Sequence, residues 1–580
     1  MARPSVPGFA WLPLALFLAG AGTSRADSAP TPEASAQTTH GVSDSLAYIS
    51  GSTVKLEQII GDHDWADTAR ATASLTVTNA DVLGNGLGYS FPSGDSLIFL
   101  FGDTIGASHQ YFPRWASVLD SFPWSAGDPM ASSRTTQPDS GLKLTFFKKT
   151  PDTTLTISPQ YPDGRSLSMG GDEIANSGIN LNSSIYLICN TGAAAAGTHD
   201  SDSCVVVQFN PASRTFTAGR TVSRAGRRGH FVFTALREMP MQFASSPTDS
   251  EVVIFGLGVR GKSDIYLSKI PKGEFWSGLT PQGKGATRYF KGIVAGQPTW
   301  TDTDSAAVPI VQDNPLAEIG VGLPQSPWPQ DNPTINNLSV AWEPALGLWL
   351  LTFGGGHQSP PPTYLKQTDG IYFSYASTPW GPWSLPQLIF NATRDSALGT
   401  WIHTYNHNTN IGAGPPGPTI GNQKLNDPDT TSGANFAPQM IESFTRLSGN
   451  TLKIFYTLST WNPYTVVKMR SKFQVLAGSQ VGVQPPQPGN LPHLDVAPNP
   501  SSSSVRVSFS MARAGLADVH VYDVAGRQVR NLGHRNLAAG SHELVWDGRT
   551  ESGALAGPGV YFVRVRSGGL TLASRMVRLR

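Results

Sequence analysis

The acid at position 103 is the first residue that could do chemistry. It follows a β-type apolar run in SLIFLFGDTIG (96–106), set off by Gly102. A lone carboxylate there has two uses. It closes a strand end by accepting backbone N–H bonds, or it stands at the sheet edge as an acid, base or nucleophile. Other groups compete with it. GGDEIANSG (170–178) offers Asp172, beside Glu173, as a third carboxylate that borders a substrate and tunes a partner's pKa. GDHDWAD (61–67) holds three aspartates and His63. A structural calcium could use such acids, but the Asp-x-Asp-x-Asp-Gly loop is missing, and a solvated loop is the plainer reading. His403 and His407 in WIHTYNHN have zinc-pair spacing only on a helix, and Asn and Thr surround them. No metal site and no cofactor are expected. Trp380, Trp383, Trp401, Trp461 and Tyr464 can pack on the apolar faces of sugars or between sheets. Trp461 and Tyr464, in the turn STWNPYTV, are the first choices for exposure.

Strands must position these groups. The segments SLIFLFGD, SSIYLICNT, CVVVQFN, HFVFTALRE, EVVIFGLGV, DIYLSKIP, LSVAWEP, GLWLLTFGG, GIYFSYAST, LKIFYTLST and YTVVKMRSK are short, rich in β-branched and aromatic residues, and bounded by turns. No long amphipathic helix interrupts them. Strand–turn–strand pairs recur, as in EVVIFGLG with DIYLSKI and LKIFYTLS with YTVVKMRS. Weak repetition of antiparallel units over this length predicts a β-propeller, with a two-sheet sandwich as the runner-up. With 60 Gly, 45 Pro and only 14% charged residues, the composition is that of a turn-dense all-β protein. Its 580 residues call for more than one domain.

The ends carry separate signals. Arg3 precedes the apolar run FAWLPLALFLAGAG, and SRA at 24–26 offers a cleavage site, so residues 1–26 read as a secretory signal peptide. The run is shorter than the roughly 20 residues of a membrane span, so no span remains after cleavage and a secreted or cell-surface protein is expected. Residues 27–45 form a flexible leader, 46–476 the propeller, 477–493 a Pro/Gly linker and 494–580 a small sandwich. Residues 505–580 hold eleven Arg and no Lys against five acids, but these arginines alternate with apolar residues as on a solvated sheet face. Nucleic acid is therefore not an expected partner. Cys189 and Cys204 flank a small-residue loop and could pair or stay free. A GxSxG elbow, a P-loop and a GxGxxG opening a helix are all missing, which removes support for lipase and nucleotide readings. The Ser-x-Asp-x-Gly-x-Thr-Trp box of sialidase propellers is missing too.

Two resemblances add to this. PNP (498–500), VYDVAGRQV (521–529), WDGRTESG (546–553) and GVYFVRV (559–565) make the tail similar to FlgD-type Ig-like and secretion-sorting modules. That implies an export or surface-attachment partner. NADVLGNGLGYSF with LFGDT, SVAWEPALGLWLLTF, IYFSYASTPWGPWSLPQLIF, and NFAPQMIES with LKIFYTLSTWNPYTVVKMRS resemble a family of secreted bacterial β-propellers of unknown function. One branch of that family comprises endo-D-arabinanases. The resemblance implies five blades, a furanose-containing (arabinan-like) polysaccharide substrate, and two catalytic acids. One is Asp103 in an intact FGDT. The other is Asp81 in NADVLG, 22 positions earlier, where Val82 intervenes before Leu83 and Gly84. Glycoside hydrolysis generally needs two carboxyl groups flanking the scissile bond, and both acids lie beside the same expected innermost strand. The alternative is a non-catalytic carbohydrate-binding or surface-adhesion propeller.

Overall fold

The computed structural model describes residues 45–106, 128–169, 174–193, 201–224, 229–245, 250–258, 264–311, 335–355, 370–406, 409, 411–416, 432–476, 494–499, 501–511, 515–523, 527–538, 540–567 and 570–579. The signal peptide, almost all of the leader, the linker, Asp172 and His407 lie outside the described residues.

Short segments of extended chain satisfy their backbone groups only by pairing with neighbours. Every segment read as a strand in the central unit does so, antiparallel. Five sheets follow one another along the chain. Blade 1 is Val82–Ser93, Ser96–Gly106, Met130–Ser133 and Thr145–Phe146, and blade 2 is Ala175–Leu181, Ser184–Ala193, Ser201–Asn210 and Thr215–Arg224. Blade 3 is Phe233–Glu238, Glu251–Leu257, Tyr266–Pro271, Arg288–Val294 and Gln297–Thr301. Blade 4 is Asn336–Glu343, Leu348–Gly355, Gly370–Ala376 and Gln387–Phe390. Blade 5 is built from Asn435–Met440, Thr451–Trp461 and Tyr464–Leu476, and the early strand Ser45–Tyr48 adds to its outer side, so the two ends of the ring share one sheet.

The first strand of each blade is innermost, and each meets the next around a closed ring. Blade 1 holds blade 2 through Asn180 Nδ2 donating to Ser93 Oγ at 2.8 Å. Blade 2 holds blade 3 through Thr234 N donating to Asn176 Oδ1 at 3.1 Å. Blades 3 and 4 meet through Phe255 and Trp349, with ring centroids 5.7 Å apart. Blade 5 donates Met440 N to Ser339 Oγ of blade 4 at 2.9 Å, and receives Leu87 N of blade 1 on Ser459 Oγ at 2.8 Å. The structure is therefore an all-β five-bladed propeller, as the sequence predicts.

Blade 1's inner strand explains how the ring closes. Gly84, Gly86 and Gly88 fall at every second position, leaving one face bare. A Cβ on Gly84 would lie 2.5 Å from the Tyr464 carbonyl oxygen, and one on Gly88 would lie 2.9 Å from Thr457 Oγ1. Blade 5 can approach this closely only because nothing projects there. The next face of the same strand is heavy: Leu87, Tyr89 and Phe91 enter a large buried cluster with Ile174, Leu187 and Phe255.

The far end of the ring is bridged across its axis. Arg237 of blade 3 is buried, and its Nη1 donates to Tyr89 Oη of blade 1 at 2.8 Å. Its Nε lies 3.1 Å from Glu442 Oε2, just beyond blade 5's inner strand, and Glu442 Oε1 accepts Trp342 N of blade 4 at 2.8 Å. Four blades thus meet on one guanidinium–carboxylate pair. Glu442, the acid of the segment PQMIES, is thereby engaged on both carboxylate oxygens.

The tail folds as two facing sheets. One is Leu494–Ala497, Val505–Met511 and Gly540–Trp546; the other is Gln528–Leu537, Gly515–Asp523, Gly559–Ser567 and Leu570–Arg578. Trp546 is fully buried between them and packs on Tyr561 at 5.2 Å.

Candidate functional site

The inner two strands of blade 1 form a hairpin that turns at Ser93–Ser96 and opens at its other end, where Val82 pairs with Gly106. Both expected acids are at this open end. Asp81 terminates the short helix Thr76–Ala80 immediately before the inner strand, with its N–H directed at Thr76 O and Val77 O. Its backbone is left-handed at φ 58° and the residue is exposed. Asp103 sits in the second strand, half-buried, and is also left-handed at φ 53°. Aspartate enters that region more readily than most non-glycine residues, and local hydrogen bonds hold it there.

At Asp103 the fixing group is a carboxylate that sequence reading missed. Blade 1's third strand begins at Met130, which pairs with Leu100, so the chain just before it runs beside Asp103. Asp128 there is buried and accepts the Asp103 N–H on Oδ1 at 2.9 Å. Its Oδ2 is buried with no hydrogen-bond partner among the described residues. Burial, with the Asp103 charge adding to it, pushes the Asp128 carboxyl well above the usual carboxylate range. A buried acid thus holds the backbone of a neighbouring one. The one available signal was the segment GDPM itself, an acid between Gly and Pro at the start of a strand.

Leu83 and Ile105, each two positions beyond one of the acids, form an apolar cluster with Tyr464, with Trp65, Val77 and Phe436 against it. Tyr464 is fully buried, and its Oη donates to Gly102 O at 3.4 Å. The exposure expected for it from the turn STWNPYTV is not found: the bare glycine face of blade 1 draws it inward. Tyr464 therefore supports Gly102 and Asp103 from below. Trp461 is half-buried beside it, with ring centroids 6.1 Å apart. Trp401 stacks on Phe390 of blade 4's outermost strand at 5.8 Å and lies under the Lys55 ammonium, at the periphery of the ring and not at its axis. His403 is buried; its N–H donates to Asn462 O at 2.8 Å.

The same end of the ring holds buried amides with unused hydrogen-bonding atoms. Asn85, Asn337 and Asn435 lie near the starts of the inner strands of blades 1, 4 and 5. Asn85 Nδ2 and Oδ1, Asn337 Oδ1 and Asn435 Nδ2 have no partner among the described residues. Buried polar groups of this kind are normally satisfied, so these are atoms that water or a hydroxyl-rich ligand would use. The acids of GDHDWAD, by contrast, are taken up separately. Asp62 accepts the N–H groups of Val77 and Thr78, and Asp64 pairs with Lys55 at 2.7 Å. Among the described residues no group of three His, Cys, Asp or Glu side chains could hold a metal ion.

The FlgD Ig-like domain family matches residues 499–569, so the C-terminal sandwich is an FlgD-type Ig-like domain. Comparison with curated proteins gives no match. Among solved structures the chain is similar to an exo-β-1,3-galactanase from Phanerochaete chrysosporium with β-1,3-galactotriose, at 12% identity and TM-score 0.33, over 90% of this chain and 100% of that one. It is also similar to a glycoside hydrolase family 43 arabinoxylan arabinofuranohydrolase from Bacillus subtilis, at 11% identity and TM-score 0.33, over 90% and 99%. A GH43_1 enzyme from Xanthomonas citri gives 10% identity and TM-score 0.31, over 69% and 94%. Similarity at this level fixes neither chemistry nor substrate.

Proposed function

We propose that this chain is an exported glycoside hydrolase that cuts a furanose-containing, arabinan-like polysaccharide at the open end of blade 1. The observation that supports the reading is that two left-handed aspartates, Asp81 and Asp103, both lie toward the open end of one hairpin, the second with its N–H held by a buried carboxyl. Asp128 is a positioning residue. Asp128 fixes the Asp103 backbone by accepting its N–H, and Asp103 would serve as base or nucleophile. Asp81, exposed just before the inner strand, would take the acid role. Trp461 would stack on a sugar ring, and Asp172 would contact the substrate. The FlgD-type domain would serve export or surface attachment.

A second reading has its own support. The unpartnered amides of Asn85, Asn337 and Asn435 bind hydroxyls but transfer no protons, which also suits a propeller that holds a glycan without cutting it. Incubation of the full chain with a panel of arabinans and galactans, scored by new reducing ends, separates the two. Asp103→Asn is expected to lower turnover by about 10²–10⁴-fold with folding intact. Wild-type turnover in that variant removes Asp103 from the chemistry, and glycan binding without cleavage by the unaltered chain selects the second reading.

A further inference from the structure

At the opposite end of blade 5 three cations stand in register. Arg446 in the strand Arg446–Ser448 lies directly opposite Lys453, and Lys453 lies directly opposite Lys472. Directly opposed residues on neighbouring antiparallel strands project from the same face, and like charges so placed destabilise a sheet. Nothing nearby cancels the two lysines: neither has an ion pair among the described residues. Arg446 feels Glu343 and donates to the carbonyls of Ser443 and Thr445. The lysines line a groove of about 550 Å³ together with Ser50, Ser448 and Thr451, whose hydroxyls make no hydrogen bond among the described residues. Ser52 pins the overlying turn by exchanging hydrogen bonds with the Lys472 backbone at 3.1 and 3.2 Å. The groove is distant from the acid pair. Lys453 is near the start of Thr451–Trp461, whereas the other end of that strand meets Asn435 and the open end of blade 1.

We propose that this groove binds an acidic polysaccharide through the carboxylate or sulfate groups on its sugars. Unopposed like charges are stable once an anion lies between them. Adjacent strands are about 4.8 Å apart, so the three cations form a row about 10 Å long, suited to successive charged groups along an extended chain. The free hydroxyls offer partners for sugar hydroxyls. Single-stranded nucleic acid would use an aromatic platform, and the groove lining has none. The inference does not depend on Asp103 being catalytic.

The test is affinity electrophoresis of the full chain in gels containing polygalacturonate, dextran sulfate, neutral arabinan or single-stranded oligonucleotide. The unaltered chain and the double variant Lys453→Gln/Lys472→Gln are run side by side. Retardation by polygalacturonate or dextran sulfate is expected, and whichever is stronger tells uronate from sulfate ester. The double variant should bind that polymer about tenfold more weakly, as two solvent-screened ion pairs would give, with its behaviour in neutral arabinan unchanged. Equal retardation of both proteins, no retardation by either acidic polymer, or stronger binding to the oligonucleotide overturns the proposal. A failure of Asp103→Asn to alter hydrolysis would leave this result untouched.

Discussion

Asp128→Asn isolates the buried carboxyl's proton. Asparagine keeps the shape and an oxygen to accept the Asp103 N–H, while removing the ability to ionise. In the folded chain the Asp128 pKa is raised well above its ordinary 3.8. The folded state therefore keeps a proton that the unfolded chain releases. By linkage, the stability tied to that proton is fully present below the ordinary value. It is lost as pH rises toward the folded pKa, at about 1.4 kcal/mol per pH unit. The Asn variant has no such loss. Its stability relative to wild type should thus climb by about 1.4 kcal/mol per unit from mildly acidic pH upward, and level off where the buried group finally ionises. Urea titrations at half-unit intervals, followed by tryptophan fluorescence, would measure this. Of the 14 tryptophans only Trp546 lies in the C-terminal domain, so the signal reports on the propeller. A difference that is flat with pH, or that moves in favour of wild type as pH rises, would refute the reasoning. The latter would mean that Asp128 is an ionised, stabilised carboxylate.

Arg237→Ala leaves Glu442 and Tyr89 without their cross-axis partner and should cost about 3–5 kcal/mol; a urea midpoint shift worth under 1 kcal/mol would contradict the bridge. Gly84→Ala drives a methyl to 2.5 Å from the Tyr464 carbonyl and should cost about 1–3 kcal/mol, whereas Gly285→Ala, with open space around it, should leave the melting temperature unchanged. Cys189 faces Val205 and Cys204 faces Asn190, one register position apart, so the thiols project from opposite sides of blade 2's sheet. Both are buried, and burial pushes the Cys204 thiol up to about 12. Thiol labelling should find neither in the native chain and both after denaturation without reductant; a missing pair would reveal a disulfide.

The strands were legible because each carries its own signal: EVVIFGLGV, GLWLLTFGG and LKIFYTLST are long enough in β-branched and aromatic residues to leave little alternative. The seven-stranded tail was legible for the same reason, through strict alternation. Asp103 stood out as an acid ending such a run. Asp128 did not, because its meaning comes from pairing between Leu100 and Met130, and pairing between residues so far apart in sequence leaves no local pattern. Tyr464 was misjudged because a turn motif suggests solvent. Its burial is written elsewhere, in the alternate glycines of VLGNGLG, which require a large partner from another blade. Sequence shows a vacancy of that kind but not its occupant.

The guanidinium–carboxylate pair that ties blades 1, 3, 4 and 5 together has a bearing on traffic. A polymer cannot be drawn through this ring like thread through a bead, since the hole is stoppered from within. Under the proposed function, substrate and product would use the same doorway, and a long chain would drape over one rim, touch down along its middle and lift away. For the proposed hydrolase, such a layout would favour cutting at interior positions over trimming from a tip.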